Sequence, residues 1–215
     1  MNAGFSNLAT LKANVLAVEL RPRTTWDTQL AAIGLGVASA IENHCSRKFA
    51  RVAGDTETFA ADYSHFQLSR KPVEAISKIE LKLSEADGWT TQVINDFVRT
   101  IDYERGFIYL PDVDAGEADQ LIRFTYTAGY FWETKETSDA GYPTAQPVGS
   151  APVPEDLKLA WLLQVRTTWQ SVDKLGTDIT KTGAAGEFVT GSLPGLDLIP
   201  GVKQMLRQFI REAWV

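Results

Sequence analysis

Hydrophobic residues recur at helical spacing near both ends of the chain and alternate with polar ones between. Leu8, Leu11, Val15 and Val18 follow steps of three or four, with Leu16 and Leu20 beside them; Asn7 or Ser6 can cap the run and Pro22 stops it. This predicts a first helix over 7–20. Thr24 or Thr25 can then cap a second run, in which Trp26, Leu30, Ile33, Val37, Ile41 and Cys45 recur at the same steps and predict a helix over 25–46. Beside that stripe lies one of small residues, Ala32, Gly36 and Ala40, and Gly34 and Gly36 each cost a helix about 1 kcal/mol relative to alanine. Such a cost is expected where a neighbouring element presses closely.

From Glu57 onward the period falls to two. Ile79, Leu81 and Leu83 alternate with Lys78, Glu80 and Lys82, a strand with one buried and one wet face, and Asp87-Gly88 supplies a turn into a strand from Trp89 to Val93. Residues 97–103, a break at Gly106, residues 107–110, and the alternation of Ile122, Phe124 and Tyr126 with Arg123 and Thr125 extend the series. The β region spans 55–130. Residues 134–153 hold Pro143, Pro147 and Pro152 and no periodicity, which reads as a long exposed loop.

Pro154, followed by Glu155 and Asp156 at the positive helix end, opens a third helix over 154–175 with Leu157, Trp161, Val165, Thr168 and Val172 along it. Residues 177–199 are rich in Gly and Thr. Val202, Met205, Leu206, Phe209, Ile210 and Ala213 then give an amphipathic terminal helix, whose apolar face can close the chain's own core or dock on another subunit. The fold class expected is therefore α+β. An N-terminal helix pair, a third helix after the sheet and a C-terminal helix form a bundle with an inserted antiparallel β region of four or more short strands. Residues 1–175 form the main domain, and 176–215 a flexible Gly-rich loop with the terminal helix.

Composition narrows the chemistry. With 44% hydrophobic and 22% charged residues among 215, the chain has the make-up of a folding protein rather than a disordered one. No apolar run approaches the roughly 18–20 residues that cross a bilayer, and residues 1–20 lack the pattern of a signal peptide, so neither secretion by that route nor a membrane span is expected. Cys45 is the single cysteine, and with only His44 and His65 no zinc site of usual composition assembles; a reducing cytoplasm is the default setting. The net charge of −6 disfavours binding driven by neutralisation of phosphates. The acidic excess is concentrated over residues 111–156, where nine acids face two bases.

Catalytic motifs are weak or incomplete. Gly183-Ala-Ala-Gly186 lacks the lysine of a phosphate loop. Asp112, Asp114 and Gly116 begin like a calcium loop, but Glu117 follows where the pattern fails, and a solvated acidic turn is expected. His44 and Cys45 point about 100° apart on a helix, which leaves the cysteine in the core and unpaired with the imidazole. The carboxylate pairs Asp102/Glu104 and Asp55/Glu57 are spaced for one face of a strand and read as surface charge. A helix-turn-helix reading of the first two helices fails on composition, because no Arg or Lys lies between Trp26 and Ser46 to meet phosphates or guanine edges. No catalytic, cofactor-binding or metal-binding residue is assigned.

An ordered set of segments resembles the head-tail connector (adaptor) proteins of tailed bacteriophages. After the short first helix come Ile41-Glu-Asn-His-Cys-Ser-Arg-Lys-Phe49, Leu68-Ser-Arg-Lys-Pro-Val73 leading into Ile76-Ser-Lys-Ile79, Gly106-Phe-Ile-Tyr-Leu110, Ile122-Arg-Phe-Thr-Tyr-Thr-Ala-Gly-Tyr130 and Val153-Pro-Glu-Asp-Leu157. The resemblance covers residues 5–175, and the Tyr-x-Ala-Gly-Tyr end of the last strand carries most of it. It implies a virion structural protein of the neck, assembled in the host cytoplasm, without catalysis or cofactors. It further implies a dodecameric ring under the portal protein, joined below to a tail-side stopper or tail-completion protein, with DNA passing through unbound and no membrane contact. A negative chain suits such a conduit. Ala32, Gly36 and Ala40 are the expected close-approach surface within the subunit or across a ring contact. Met205, Arg207, Phe209, Arg211 and Trp214 are the expected portal or subunit contacts, with Arg207 and Arg211 four residues apart on one helix and Trp214 as an aromatic anchor. A DNA-packaging factor that binds nucleic acid, or an enzyme with an unrecognised carboxylate site, stays open as an alternative.

Overall fold

A computed structural model describes residues 3–61, 64–84, 86–94, 98–110, 120–136, 138–178 and 197–211. Two compact units emerge: a helical unit of residues 1–46, 132–145 and 153–215, and a β unit of residues 47–131 and 146–152 that interrupts it in sequence. The class is α+β.

In the helical unit, α1 (Leu8–Val15) starts where the Asn7 side chain accepts a hydrogen bond from the Thr10 N–H at 2.9 Å. The continuous helix predicted over 7–20 is broken at Leu16, whose backbone turns extended, and a 3-10 turn at Val18–Leu20 follows. The reason is geometric. On an unbroken helix Leu16 would sit about 80° from the line of Leu8. The break buries Leu16 and leaves Val18 outside at 66% exposure.

Helix α2 (Asp27–Cys45) buries Leu30, Ala31, Gly34, Val37, Ala38, Ile41 and Cys45 and ends at Ser46 in the left-handed conformation. Trp26 lies just before the helix, largely exposed, with its ring 5.9 Å from that of Trp169. A close approach falls on Gly34. A Cβ on Gly34 would stand 2.1 Å from the Ala3 carbonyl oxygen, and the Gly34 carbonyl accepts the Trp161 indole N–H at 2.9 Å. The amino-terminal segment thus lies across α2, with Ala3 buried and the Phe5 ring against those of Trp132 and Trp161.

Helix α3 (Glu155–Asp178) buries Leu157, Ala160, Trp161 and Val165 along the predicted stripe and extends past the expected end at 175. Helix α4 (Pro200–Leu206) begins on its proline and is shorter than the terminal helix predicted. It tightens into a 3-10 turn at Arg207–Phe209, and Ile210 is already extended. That change of course lets the Arg211 N–H donate to the Cys45 carbonyl at 2.9 Å, filling an orphan acceptor at the end of α2. Val202, Leu206 and Phe209 are buried, so this segment closes its own unit.

The β unit stacks two antiparallel sheets around one core. The larger has the order β1 (Val52–Ala60), β7 (Leu121–Ala128), β3 (Val73–Lys82), β4 (Thr90–Gln92); the smaller has β2 (His65–Gln67), β6 (Phe107–Tyr109), β5 (Thr100–Asp102). A short parallel pair, β8 (Tyr130–Phe131) and β9 (Ala151–Pro152), lies beside them. Strand β7 alternates strictly between core and surface, burying Ile122, Phe124, Tyr126 and Ala128, and Phe66, Leu68, Ile108 and Leu110 meet them in one cluster with Ile79. The predicted hairpin at Asp87-Gly88 forms, joining β3 to β4. Leu83 falls outside β3 and is exposed. Gly129, in the Tyr-x-Ala-Gly-Tyr segment, has φ +102° and presses on the Ala50 backbone, where a Cβ would meet the carbonyl oxygen at 2.5 Å.

Candidate interaction surfaces

The charged residues of the β unit are largely consumed in pairs. On the core side of edge strand β1, Asp55 accepts from Arg70 Nε at 2.7 Å. Glu57 accepts from the Ser69 N–H at 3.0 Å, the Ser69 hydroxyl at 2.5 Å and the Tyr126 hydroxyl. Burial and the bond to Glu57 hold the Tyr126 phenol well above its ordinary value, fixing it as a neutral donor. Arg51 grips Glu74 with two bonds of 2.8 Å, and that bond raises its own already high pKa.

Glu80, expected on the wet face of its strand, is buried instead. Lys78 at 2.5 Å and Arg123 at 2.7 Å take up its carboxylate. The Lys78 bond is the largest influence holding that carboxyl below its usual range; burial opposes it and Arg123 adds to it. Arg123 in turn lies over the Trp89 ring, 4.2 Å from its centre. The Asp102 carboxylate accepts from the Arg105 N–H in the turn to β6. Of the carboxylate pairs singled out in the sequence, Asp55, Glu57 and Asp102 thus hold structure together, while Glu104 is exposed.

The stretch expected as a long exposed loop over 134–153 is mostly exposed among its described residues, and two glutamates tie it down. Glu133 accepts from the N–H of Lys135 at 2.8 Å, from the Thr144 N–H and from the Thr144 hydroxyl at 2.9 Å. Burial pushes this carboxyl up, and the hydrogen bonds together outweigh it, leaving the pKa lowered. Glu136 accepts from the N–H groups of Leu8 at 2.8 Å and Ala9 at 3.0 Å, and Asn7 donates to the Lys135 carbonyl at 2.7 Å. A carboxylate from 128 positions away therefore caps α1. Glu133 and Glu136 carried no periodic signal in the sequence. Gln164 was equally silent: buried on α3, it donates to the Asp197 carbonyl at 3.1 Å and accepts from the Ile199 N–H at 2.9 Å, fastening the approach to α4.

The interface candidates fall in different settings. Ala32 is exposed and Gly36 and Ala40 are half-buried. With Thr28, Gln29, Leu35, Ser39 and Asn43 they form an outer face of α2 without charge. On the terminal segment Arg207 is exposed, Met205 and Arg211 are half-buried, and Phe209 is committed to the unit's own core; Trp214 lies outside the described residues. Helix α3 also exposes Leu159 at 48% and Leu163 at 40%, one turn apart. Cys45 is fully buried, as its place in the stripe predicts. Among the described residues no group of three or more His, Cys, Asp or Glu could hold a metal ion, and no helix is long and apolar enough to cross a membrane. Asp112, Asp114, Gly116 and Glu117, and residues 183–186, lie outside the described residues.

No protein-family model matches the chain, and no curated protein does. Solved structures do match. The fold is similar to a chain in a structure described as the virion of a native gene transfer agent particle, with TM-score 0.56 and 16% identity over 97% of this chain and 90% of that one. It is similar to a chain in the neck of an empty gene transfer agent particle computed with C6 symmetry, at TM-score 0.52 and 15% identity over the same shares. A third match, in the neck of a native particle computed with C12 symmetry, has TM-score 0.50 and 14% identity over 94% of this chain and 92% of that one.

Proposed function

We propose that this chain is a structural component of the neck of a phage-like particle, a head-tail connector that assembles as a ring beneath the portal protein and extends the channel for DNA. The observation that carries the reading is a fold likeness running through 97% of this chain and 90% of a chain in a gene transfer agent virion and of one in a neck of such a particle. The chemistry agrees with a role as building material. Among the described residues, the titratable groups with a shifted pKa, Arg51, Glu80, Tyr126 and Glu133, are each explained by burial and structural hydrogen-bond partners, acting together or in opposition. The net charge of −6 lets DNA slide past without the counterion release that would hold it.

In this reading the uncharged outer face of α2, with Ala32, Gly36 and Ala40, meets a neighbouring subunit, and Arg207, Met205, Arg211 and Trp214 face the portal. A tail-side stopper or completion protein occupies the other end of the ring. Mass measurement of the native chain, alone and mixed with portal protein, tests the proposal. A ring of about twelve copies is expected in the mixture. Monomers in both samples under assembly conditions would sink it, and a filter-binding curve that falls steeply with salt would favour a nucleic-acid-binding packaging factor instead.

A further inference from the structure

The larger sheet of the β unit ends in two strands, β1 and β4, each paired within the sheet on one side. Strand β1 is nine residues long, and Val52, Ala53, Gly54, Thr56, Thr58 and Ala60 on it are exposed. Edges of this length are normally blunted by lysine, proline or a covering element, because a row of free backbone groups templates another strand. Strand β1 contains no Lys, Arg or Pro, and the shift of register between Val52 and Asp55 is confined to its start, leaving residues 55–60 in regular pairing. Its two acids, Asp55 and Glu57, are held on the core side by Arg70 and by Ser69 with Tyr126. At the far edge β4 offers Thr90 and Thr91, both exposed, and Gln92. Neither edge presents an unpaired charge to an incoming strand.

The two edges also fit one another in direction and register. All three pairings in the sheet are antiparallel, so β4 runs opposite to β1. One row across the sheet reads Thr58, Arg123, Glu80, Thr91; its neighbours read Glu57, Phe124, Ile79, Gln92 and Phe59, Ile122, Leu81, Thr90. Setting the β4 edge of a second copy against β1 continues both the alternation and the rows. Thr58 then faces Thr91 of the second copy, Glu57 faces Gln92 and Phe59 faces Thr90, pairings that favour sheets and oppose no like charges.

We infer that β1 of one copy and β4 of the next pair as adjacent antiparallel strands, so that neighbouring subunits share one continuous sheet. The inference rests on the ring reading above and specifies its contact. A second copy is the fitting occupant because the edges differ: each copy that uses β1 keeps β4 free for the next, the head-to-tail arrangement a ring requires. A foreign strand would satisfy one edge and leave the other open.

Two single variants, Thr58→Cys and Thr91→Cys, test it, since both side chains are exposed and their replacement leaves the core untouched. They are mixed in full-length form, with and without portal protein, and treated with a short bis-maleimide; residues opposite one another on paired strands have Cα atoms about 4.5–5.5 Å apart, so the mixture should yield at least about tenfold more linked dimer than either variant alone. A chain carrying both cysteines should link into a ladder of multimers. Rings seen by native mass measurement with no excess linking in the mixture would overturn the shared sheet while leaving the connector reading intact. Absence of both rings and links would overturn both. Linking of Thr58→Cys to itself would replace the head-to-tail contact by a twofold β1 pairing and so refute it.

Discussion

Replacing Gly34 by alanine isolates the most demanding contact of the helical unit. On helix propensity alone the change should stabilise α2 by about 1 kcal/mol. The structure reverses the sign. The new Cβ would lie 2.1 Å from the Ala3 carbonyl oxygen and 3.0 Å from Leu11 Cδ2, and the nearer obstacle is backbone. Relief requires the amino-terminal segment to move by roughly 1 Å, and overpacking of this kind costs about 1–3 kcal/mol. If the segment lifts away, Phe5 leaves the Trp132 and Trp161 rings, and exposing one phenylalanine costs about 1.5–3 kcal/mol. Set against the propensity gain, the net expectation is a loss of up to about 2 kcal/mol. Urea unfolding followed by tryptophan fluorescence reads chiefly the right unit, since Trp26, Trp132, Trp161 and Trp169 lie in it, and a Trp89→Phe background removes the signal of the β unit. Hydrogen exchange should show faster exchange at the Ala3 N–H, which donates to the Ser6 carbonyl, and at the Trp161 indole. The exposed Ser39→Ala variant on the same helix should stay within about 0.5 kcal/mol of the parent. A Gly34→Ala protein as stable as the parent or more so, with those protons still protected, would refute the close-approach argument.

Glu136→Gln should weaken the cap on α1, costing about 0.5–1 kcal/mol and raising exchange at the Leu8 and Ala9 amides measurably before any global unfolding. Gln164→Ala removes both bonds to residues 197–199; a loss of about 1–3 kcal/mol is expected, with earlier proteolytic release of α4 while the β unit resists. The pH dependence of Glu80 has a definite sign. Its carboxyl is held below the ordinary 4.5 by Lys78 and then Arg123, so the stability it contributes is complete above that value and is lost as pH falls through the lower folded one. The urea midpoint of the parent should therefore drop more steeply with acid over roughly pH 5 to 3 than that of Glu80→Gln, and coincident slopes would show the ion pairs contribute nothing.

Much of the secondary structure is legible because it rests on local periodicity. The helical stripes of Leu30, Val37, Ile41 and Cys45 and of Leu157, Trp161 and Val165 are buried as their spacing predicts, and β7 alternates along its whole length. Misreadings occur where a local rule yields to a distant contact. Leu16 leaves the first helix to reach the core, α4 tightens so that Arg211 can satisfy Cys45, and Glu80 is drawn inward by Lys78 and Arg123. The glycine-rich α2 announces a close neighbour, yet nothing in the chain says that Ala3 is the one that meets Gly34, because that depends on the path of a distant segment.

The same division holds for the surfaces. Residue type and short-range spacing suffice for the α+β class, the order of helices and strands, the burial of Cys45 and the net charge of −6. Packing across the fold places β7 between β1 and β3, and hence settles which strands are edges, because it joins segments roughly 60 to 75 residues apart. It likewise decided that Glu136 caps α1 and that Phe209 serves its own unit while Arg207 does not, since a side chain's partner across the fold leaves no trace in the residues beside it.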